Sequence, residues 1–201
     1  MNHNPWKTSH YINATYYAEL VKNFTDWQRD ENEVRDPILR DGCRRFVEKD
    51  ANLLETGQYD DWLALFAPEC LYWVPASQGG GDPRKEVAIA FDDRRRLEDR
   101  VFRLQNEFSW SQQPRSRTSR IVSNIAVFAT ADPTIFMVRS NFIISEFQAG
   151  DKRFYTGSSS HRLVDMSGSI GEVSNQNWKT LVKQVNLIDC DQNLRNPSIV
   201  L

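Results

Sequence analysis

The chain has 201 residues, with 25 Lys and Arg against 27 Asp and Glu and a formal net charge of −2, so it carries no basic field of the kind that draws a protein to nucleic acid or to an anionic membrane. That length suits one large domain with an appendage better than two full domains, and such a domain buries enough apolar surface to fold without staples. Cys43, Cys70 and Cys190 are odd in number and far apart, which argues against a disulfide framework and for a reducing compartment.

The opening MNHNPWKTSHY has no signal-like apolar run, and no stretch is long and apolar enough to cross a bilayer. The expected location is therefore the cytoplasm, and the expected partner a small molecule or another protein. Residues 1–35 carry Trp6, Tyr11, Tyr16, Tyr17, Phe24 and Trp27 among polar residues and read as a partly helical arm that packs onto something. Residues 36–201 read as one domain.

Asp36-Pro37, a capping residue followed by proline at the first helical position, opens a helix that Gly57 closes. Leu39, Cys43, Phe46, Val47, Ala51 and Leu54 fall on one of its faces. A short helix follows over Asp60–Ala67, where Pro68 is expected to stop it, and Leu71–Val74 is a short strand between Pro68 and Pro75. After the loop Gly79–Pro83, Phe91–Phe108 reads as a third helix with Leu97, Val101, Leu104 and Phe108 as its apolar stripe. Its arginines pair at i,i+4, Arg94 with Glu98, Arg95 with Asp99 and Arg103 with Asp99, giving a solvated, paired face rather than a phosphate site.

From Ser116 the pattern changes to strands: Ser116–Thr130, Ile135–Ala149, Arg153–Asp165 and Trp178–Asp189. The links Ala131–Thr134 and Ala149–Lys152 are short enough for hairpins, which makes the sheet antiparallel. Phe136, Val138, Phe142 and Ile144 alternate onto one face. Helices first and strands after predict an α+β fold, with a long curved antiparallel sheet wrapped around about three N-terminal helices to form a cone with an interior cavity.

The chemistry is marked by what is missing. The paired Cys-x-His and Cys-x-x-His groups of a Rieske cluster do not occur, nor do the Cys-x-x-Cys pairs of a zinc ribbon. A two-His, one-carboxylate iron site would have to draw on His3, His10 and His161, two in the arm and one in a strand. Gly79-Gly80-Gly81 lacks the Lys-Ser/Thr ending and the strand-to-helix setting of a phosphate loop. In Ser158-Ser159-Ser160-His161 only Ser159 shares the face of His161, and the plain reading is a polar strand edge. An acid–base pair inside the cone, His161 or an Asp with Tyr72, would serve a dehydratase or isomerase. In YDDWLALFAPECLYWVPA, Asp60 and Asp61 suit the first turn of a helix. Tyr59, Trp62, Leu63, Phe66, Tyr72, Trp73 and Val74 read there as core packed with large rings.

That same segment, with DDRRRLEDRVFRLQNEFSWSQQPRSRTSRIVSNIAV (92–127) and the tail WKTLVKQVNLIDCDQNL (178–194), resembles the β (small) subunit of aromatic-ring-hydroxylating dioxygenases. Arg100-Val-x-Arg-Leu104, Trp110 and Ser116-Arg-Thr118 before Val122-Ser-Asn124 are the most specific part, and the likeness spans 36–194. It implies a fold like nuclear transport factor 2 and scytalone dehydratase. It also implies that a partner α subunit holds the Rieske 2Fe-2S cluster and the mononuclear iron. This chain would then carry no catalytic residue, cofactor or metal, and would support a hexamer of three α and three β chains that electron-transfer components contact. The strand Thr156–His161 lacks the arginines expected there, and the loop Ser167–Gln176 is longer than expected.

The rivals are a free-standing cone-fold dehydratase or isomerase and a small-molecule binding module. An accessible polar cavity with His161 beside an acid would favour the enzyme, and a plugged cavity the scaffold. For the surface that holds the complex together, WSQQPRSRTSR is the candidate, with Trp110, Arg115, Arg117 and Arg120 as the residue types that dominate interfaces. The plain alternative is that Trp110 caps the domain's own core while the arginines face water.

Overall fold

A computed structural model describes residues 9–106, 114–166 and 177–201. Helix α1 (Ala14–Phe24) is capped by Asn13, whose side chain accepts from the Tyr16 N–H. Helix α2 (Pro37–Glu55) starts as its sequence dictates. The Asp36 carboxylate accepts from the N–H groups of Ile38 and Leu39, satisfying two donors the first turn cannot. Gly57, just past its end, has φ +72°, a conformation that favours glycine.

The next elements are α3 (Tyr59–Leu63), β1 (Phe66–Pro75), β2 (Ala88–Asp93) and α4 (Arg94–Gln105), followed by β3 (Arg117–Ala129), β4 (Ile135–Gln148), β5 (Asp151–Asp165) and β6 (Trp178–Leu187). Two expectations need correction here. Pro68 does not stop a helix but lies inside β1. The pairing of β1 with β6 skips from Phe66 to Leu71, and β2 pairs only with Leu71–Pro75, so the missing N–H breaks no ladder bond. Phe91–Asp93 belongs to β2, and α4 begins only at Arg94, where Asp93 caps it by accepting from the Arg96 N–H at 2.8 Å. Phe108, expected in the apolar stripe, lies outside the described residues.

The strands form one six-stranded sheet in the order β2-β1-β6-β5-β4-β3. Neighbours run antiparallel except β1 and β6, which are parallel, so the sheet is mixed. The β4–β5 hairpin turns through Ala149 and Gly150, both at positive φ, the backbone a two-residue hairpin requires. Helices α2, α3 and α4 pack on one face, where Phe46, Val47, Leu54, Trp62, Leu97 and Val101 meet Tyr72, Val138, Phe142, Leu163 and Val185.

Helix α1 covers part of the opposite face, its Leu20 buried with Leu71, Trp73 and Val182 while Tyr16 and Phe24 pack against them. The arm is tied at both borders of the sheet. The Tyr11 hydroxyl donates to Cys70 O and accepts from the Arg94 N–H. At the other border the Val34 N–H donates to Val127 O, and Trp27 meets Phe128 edge-on. That packing covers backbone of edge strand β3 that would otherwise be open to pairing.

Candidate functional site

One row of residues crosses the sheet on its helix-facing side. In register it runs Val127 (β3), Val138 (β4), His161 (β5), Lys183 (β6), Tyr72 (β1) and Asp92 (β2). Lys183 faces inward because the β5–β6 register shifts after Arg162, which leaves Leu181 as the extra residue. Such a bulge reverses the side-chain alternation along the strand.

Asp50 reaches this row from α2, where it sits one turn after Phe46 on the buried face. Its Oδ2 lies 2.6 Å from Lys183 Nζ, and its Oδ1 accepts from the Trp62 indole N–H at 2.8 Å. Burial pushes the Asp50 carboxyl up, but the Lys183 ammonium and these hydrogen bonds outweigh it and hold the group below its usual range. Burial lowers the Lys183 pKa, with Asp50 opposing it; the 2.6 Å contact is that of an ion pair, and the Lys183 nitrogen also stands over the Trp62 ring. Next to it His161 is 1% exposed, and neither of its ring nitrogens has a hydrogen-bond partner among the described residues. Burial, opposed by Asp50, lowers its pKa to about 4, so the imidazole is neutral.

Asp50, Lys183, His161, Ser159 and Arg120 share a cavity with the apolar side chains of Val47, Val122, Phe142, Ile144 and Leu201. Its volume is about 30 Å³, room for one water and no substrate. The segment Asn196–Leu201 closes it. Ile199, Val200 and Leu201 are all buried; Val200 O accepts from Arg120 Nη2 at 2.6 Å, and the Leu201 N–H donates to the Tyr72 hydroxyl at 3.0 Å. Asn196 anchors the segment by donating to Glu146, a buried carboxylate that also accepts from the Tyr155 hydroxyl. On the outer side of Ile199 and Val200 lies a surface cleft of about 270 Å³, bordered by Glu55, Tyr59, Arg115, Arg117 and Arg120. Arg120 touches both spaces.

The candidates named from sequence therefore part company. Arg115 and Arg117 are exposed, and the Arg117 guanidinium lies 4.9 Å from the Phe147 ring centroid. Arg120 turns inward, its Nε buried without a hydrogen-bond partner. Trp110 lies outside the described residues. The polar-edge reading of Ser158–His161 is corrected, because β5 runs between β4 and β6 in the interior of the sheet. Ser159 does share the His161 face, but its hydroxyl bonds Ser140 at 2.8 Å, so no serine–histidine relay forms. His161 and Tyr72 do not combine into an acid–base pair either, since the Tyr72 oxygen is occupied by Leu201 and burial raises that phenol to about 12.

His10 sits on the outside against Glu69, away from His161, and His3 is outside the described residues. Among the described residues no three His, Cys, Asp or Glu side chains gather where a metal ion could be held. The arginine run of α4 is less solvated than expected. Arg100 is bonded to Asp92 with both side chains largely buried, and Arg94 pairs with Glu98 while donating to Leu63 O. Sequence reading overlooks Asp50, Lys183, Glu146 and the closing segment. The local signals are a carboxylate on the apolar face of α2 and Glu146 continuing the inward alternation of Phe142 and Ile144 in β4.

A family model described as "Ring hydroxylating beta subunit" matches residues 49–190. The chain is 35% identical over 138 residues to benzoate 1,2-dioxygenase subunit beta of Acinetobacter baylyi, an alignment covering 66% of this chain and 80% of that one. Its fold matches the crystal structure of the beta subunit of the benzoate 1,2-dioxygenase of Burkholderia mallei with a TM-score of 0.58 and 24% identity, covering 72% of this chain and 87% of the other. A putative scytalone dehydratase from Novosphingobium aromaticivorans has the same fold, with a TM-score of 0.55, 15% identity, and 79% and 91% of the two chains covered. The α+β cone expected from sequence is thus the fold observed. Among the described residues no helix is long and apolar enough to cross a membrane.

Proposed function

Because the chain belongs to the ring-hydroxylating beta subunit family, we propose that it is the structural, non-catalytic β subunit of a terminal oxygenase. Its partner α subunit would add both atoms of O2 to an aromatic ring, using a Rieske cluster and a mononuclear iron that the α subunit alone carries. The assembly would contain three α and three β chains, meet its electron-transfer components in the cytoplasm, and involve neither nucleic acid nor membrane.

The observation that supports this reading is the closed cone. Its polar groups have the composition of an acid–base site, yet the Tyr72 hydroxyl and an Arg120 donor are engaged by the backbone of residues 200–201. The remaining cavity of about 30 Å³ admits nothing larger than water. An enzyme acting in this cone would need room for a substrate beside His161.

The test is co-expression with a neighbouring chain that carries Cys-x-His and Cys-x-x-His. The two should purify together, with iron and ring dihydroxylation requiring the partner. Failure to associate, or dehydratase turnover by the chain alone, would overturn the proposal.

A further inference from the structure

The closing segment engages the cone as a ligand would, and it leaves part of the cone's hydrogen-bonding capacity unused. A guanidinium presents a fork of donors suited to a carboxylate. Arg120 meets one carbonyl oxygen through Nη2, while its Nε is buried with no partner. His161 is buried with both nitrogens unpaired. The two ring nitrogens point in diverging directions, so the single water that fits the cavity can pair with only one of them. Buried donors and acceptors left unpaired are rare in folded proteins, and here Arg120 Nε and both His161 nitrogens belong to residues that line one cavity.

The space agrees with the chemistry. Arg120 borders both the inner cavity of about 30 Å³ and the outer cleft of about 270 Å³, with Val200 and Leu201 at the boundary. Joining them by withdrawing the segment gives a pocket on the order of 300 Å³, the lower end of small-molecule sites. Its walls would be Val122, Phe142 and Ile144, its polar groups Arg120 and His161 beside the mutually paired Asp50 and Lys183, with the Tyr72 hydroxyl now on Leu201, and its entrance flanked by Glu55, Arg115 and Arg117.

We propose that the cone is a binding site for a small apolar monocarboxylate, occupied in this protein by its own residues Ser198–Leu201 acting as a built-in ligand. The carboxylate would take the Arg120 fork in place of Val200 O, and the phenol of Tyr72 would be released from the Leu201 N–H. The apolar body of the acid would replace the side chains of Val200 and Leu201. This goes beyond the scaffold reading, which needs only that the cone be closed.

The probes are benzoate and its neutral counterpart benzyl alcohol, titrated calorimetrically into the full chain and into a chain lacking Ser198–Leu201, both checked for fold by circular dichroism. The full chain should bind neither. The shortened chain should bind benzoate at least tenfold more tightly than benzyl alcohol, and Arg120→Gln in that background should remove the preference. Where the shortened chain fails to fold, Leu201→Gly in the full chain takes its place and should gain the same preference. A folded variant without preference for benzoate, or a full chain that binds benzoate equally well, overturns the proposal. Copurification with the partner chain is scored separately, so failure here is distinguishable from failure of the subunit assignment.

Discussion

Asp50 and Lys183 stand 133 positions apart in the chain and 2.6 Å apart inside the cone. They join α2 to β6, with Trp62 from α3 donating to the same carboxylate. Replacing one member of a buried ion pair leaves the other charge without compensation and costs about 3–5 kcal/mol, whereas replacing both with apolar groups costs far less. Lys183→Met should therefore destabilise strongly, and Asp50→Leu with Lys183→Met should recover most of the loss. Urea unfolding of the singles and the double would test this. A loss under about 1 kcal/mol in Lys183→Met would show that the pair carries no such weight.

His161 predicts the sign of a pH effect. Its folded pKa is lowered from the ordinary 6.5 to about 4 by burial, with Lys183 adding to the effect and Asp50 opposing it. The cationic Arg120 lines the same cavity. Above pH 6.5 the ring is neutral whether folded or unfolded and has no effect. Between 6.5 and about 4 the unfolded chain takes up a proton that the folded chain refuses, so stability falls as pH falls. The full difference is roughly 3 kcal/mol. In His161→Gln, melting temperature should drop less over that interval than in the parent. Parallel curves for the two would refute the buried neutral histidine.

Much of this fold is legible in the sequence because its signals are local. The expected limits of β3, β4 and β6 fall within two residues of the observed ones at each end, since alternation and short Pro or Gly links define these strands. The limits of α2 follow from Asp36, Pro37 and Gly57. The features that escape sequence reading depend on pairing at long range. Pro68 reads as a helix stop until β6 is known to skip past it. Phe91–Asp93 reads as the start of the helix that follows it, and only the pairing with β1 shows that Ala88–Asp93 is a strand. The interior site shows the same division. The shared face of Ser159 and His161 follows from alternation, but Lys183 faces inward only through a bulge. Residues 196–201 have no period to show that they fill the cone.

The arm yields a third prediction. Tyr11 makes two hydrogen bonds through one hydroxyl, donating to Cys70 O at 3.0 Å and accepting from the Arg94 N–H at 2.7 Å. Tyr11→Phe leaves both partners without that hydroxyl and should cost about 1–3 kcal/mol. It should also raise hydrogen exchange in α1, whose Leu20 covers Leu71, Trp73 and Val182. Unchanged stability and exchange would mean that the arm is held by its apolar packing alone.

A fourth prediction follows from the proposed division of labour with the α subunit. The isolated chain, purified without its partner, should hold no stoichiometric iron and show no visible absorption. About one iron per chain surviving chelator treatment would contradict the scaffold reading.

The last prediction separates the arginines that the sequence groups as an interface. Arg115 and Arg117 are exposed at the rim of the outer cleft, while Arg120 points into the cone and bonds Val200 O. Charge reversal at the first two removes forked donors that a partner's carboxylates or carbonyls would use, and it leaves the core intact. It also takes the Arg117 guanidinium off the Phe147 ring, an exposed cation–π pair worth only about 0.5–1 kcal/mol. Arg115→Glu with Arg117→Glu should thus leave the isolated chain folded by circular dichroism. Assembly with the partner should weaken by about 2 kcal/mol or more if a hot spot is removed, visible as dissociation in light scattering of the co-expressed complex. Arg120→Gln should do the reverse, lowering the melting temperature of the isolated chain because Val200 O loses its partner inside the cone. If the double reversal assembles as the parent does, the rim of this cleft is not where the subunits meet.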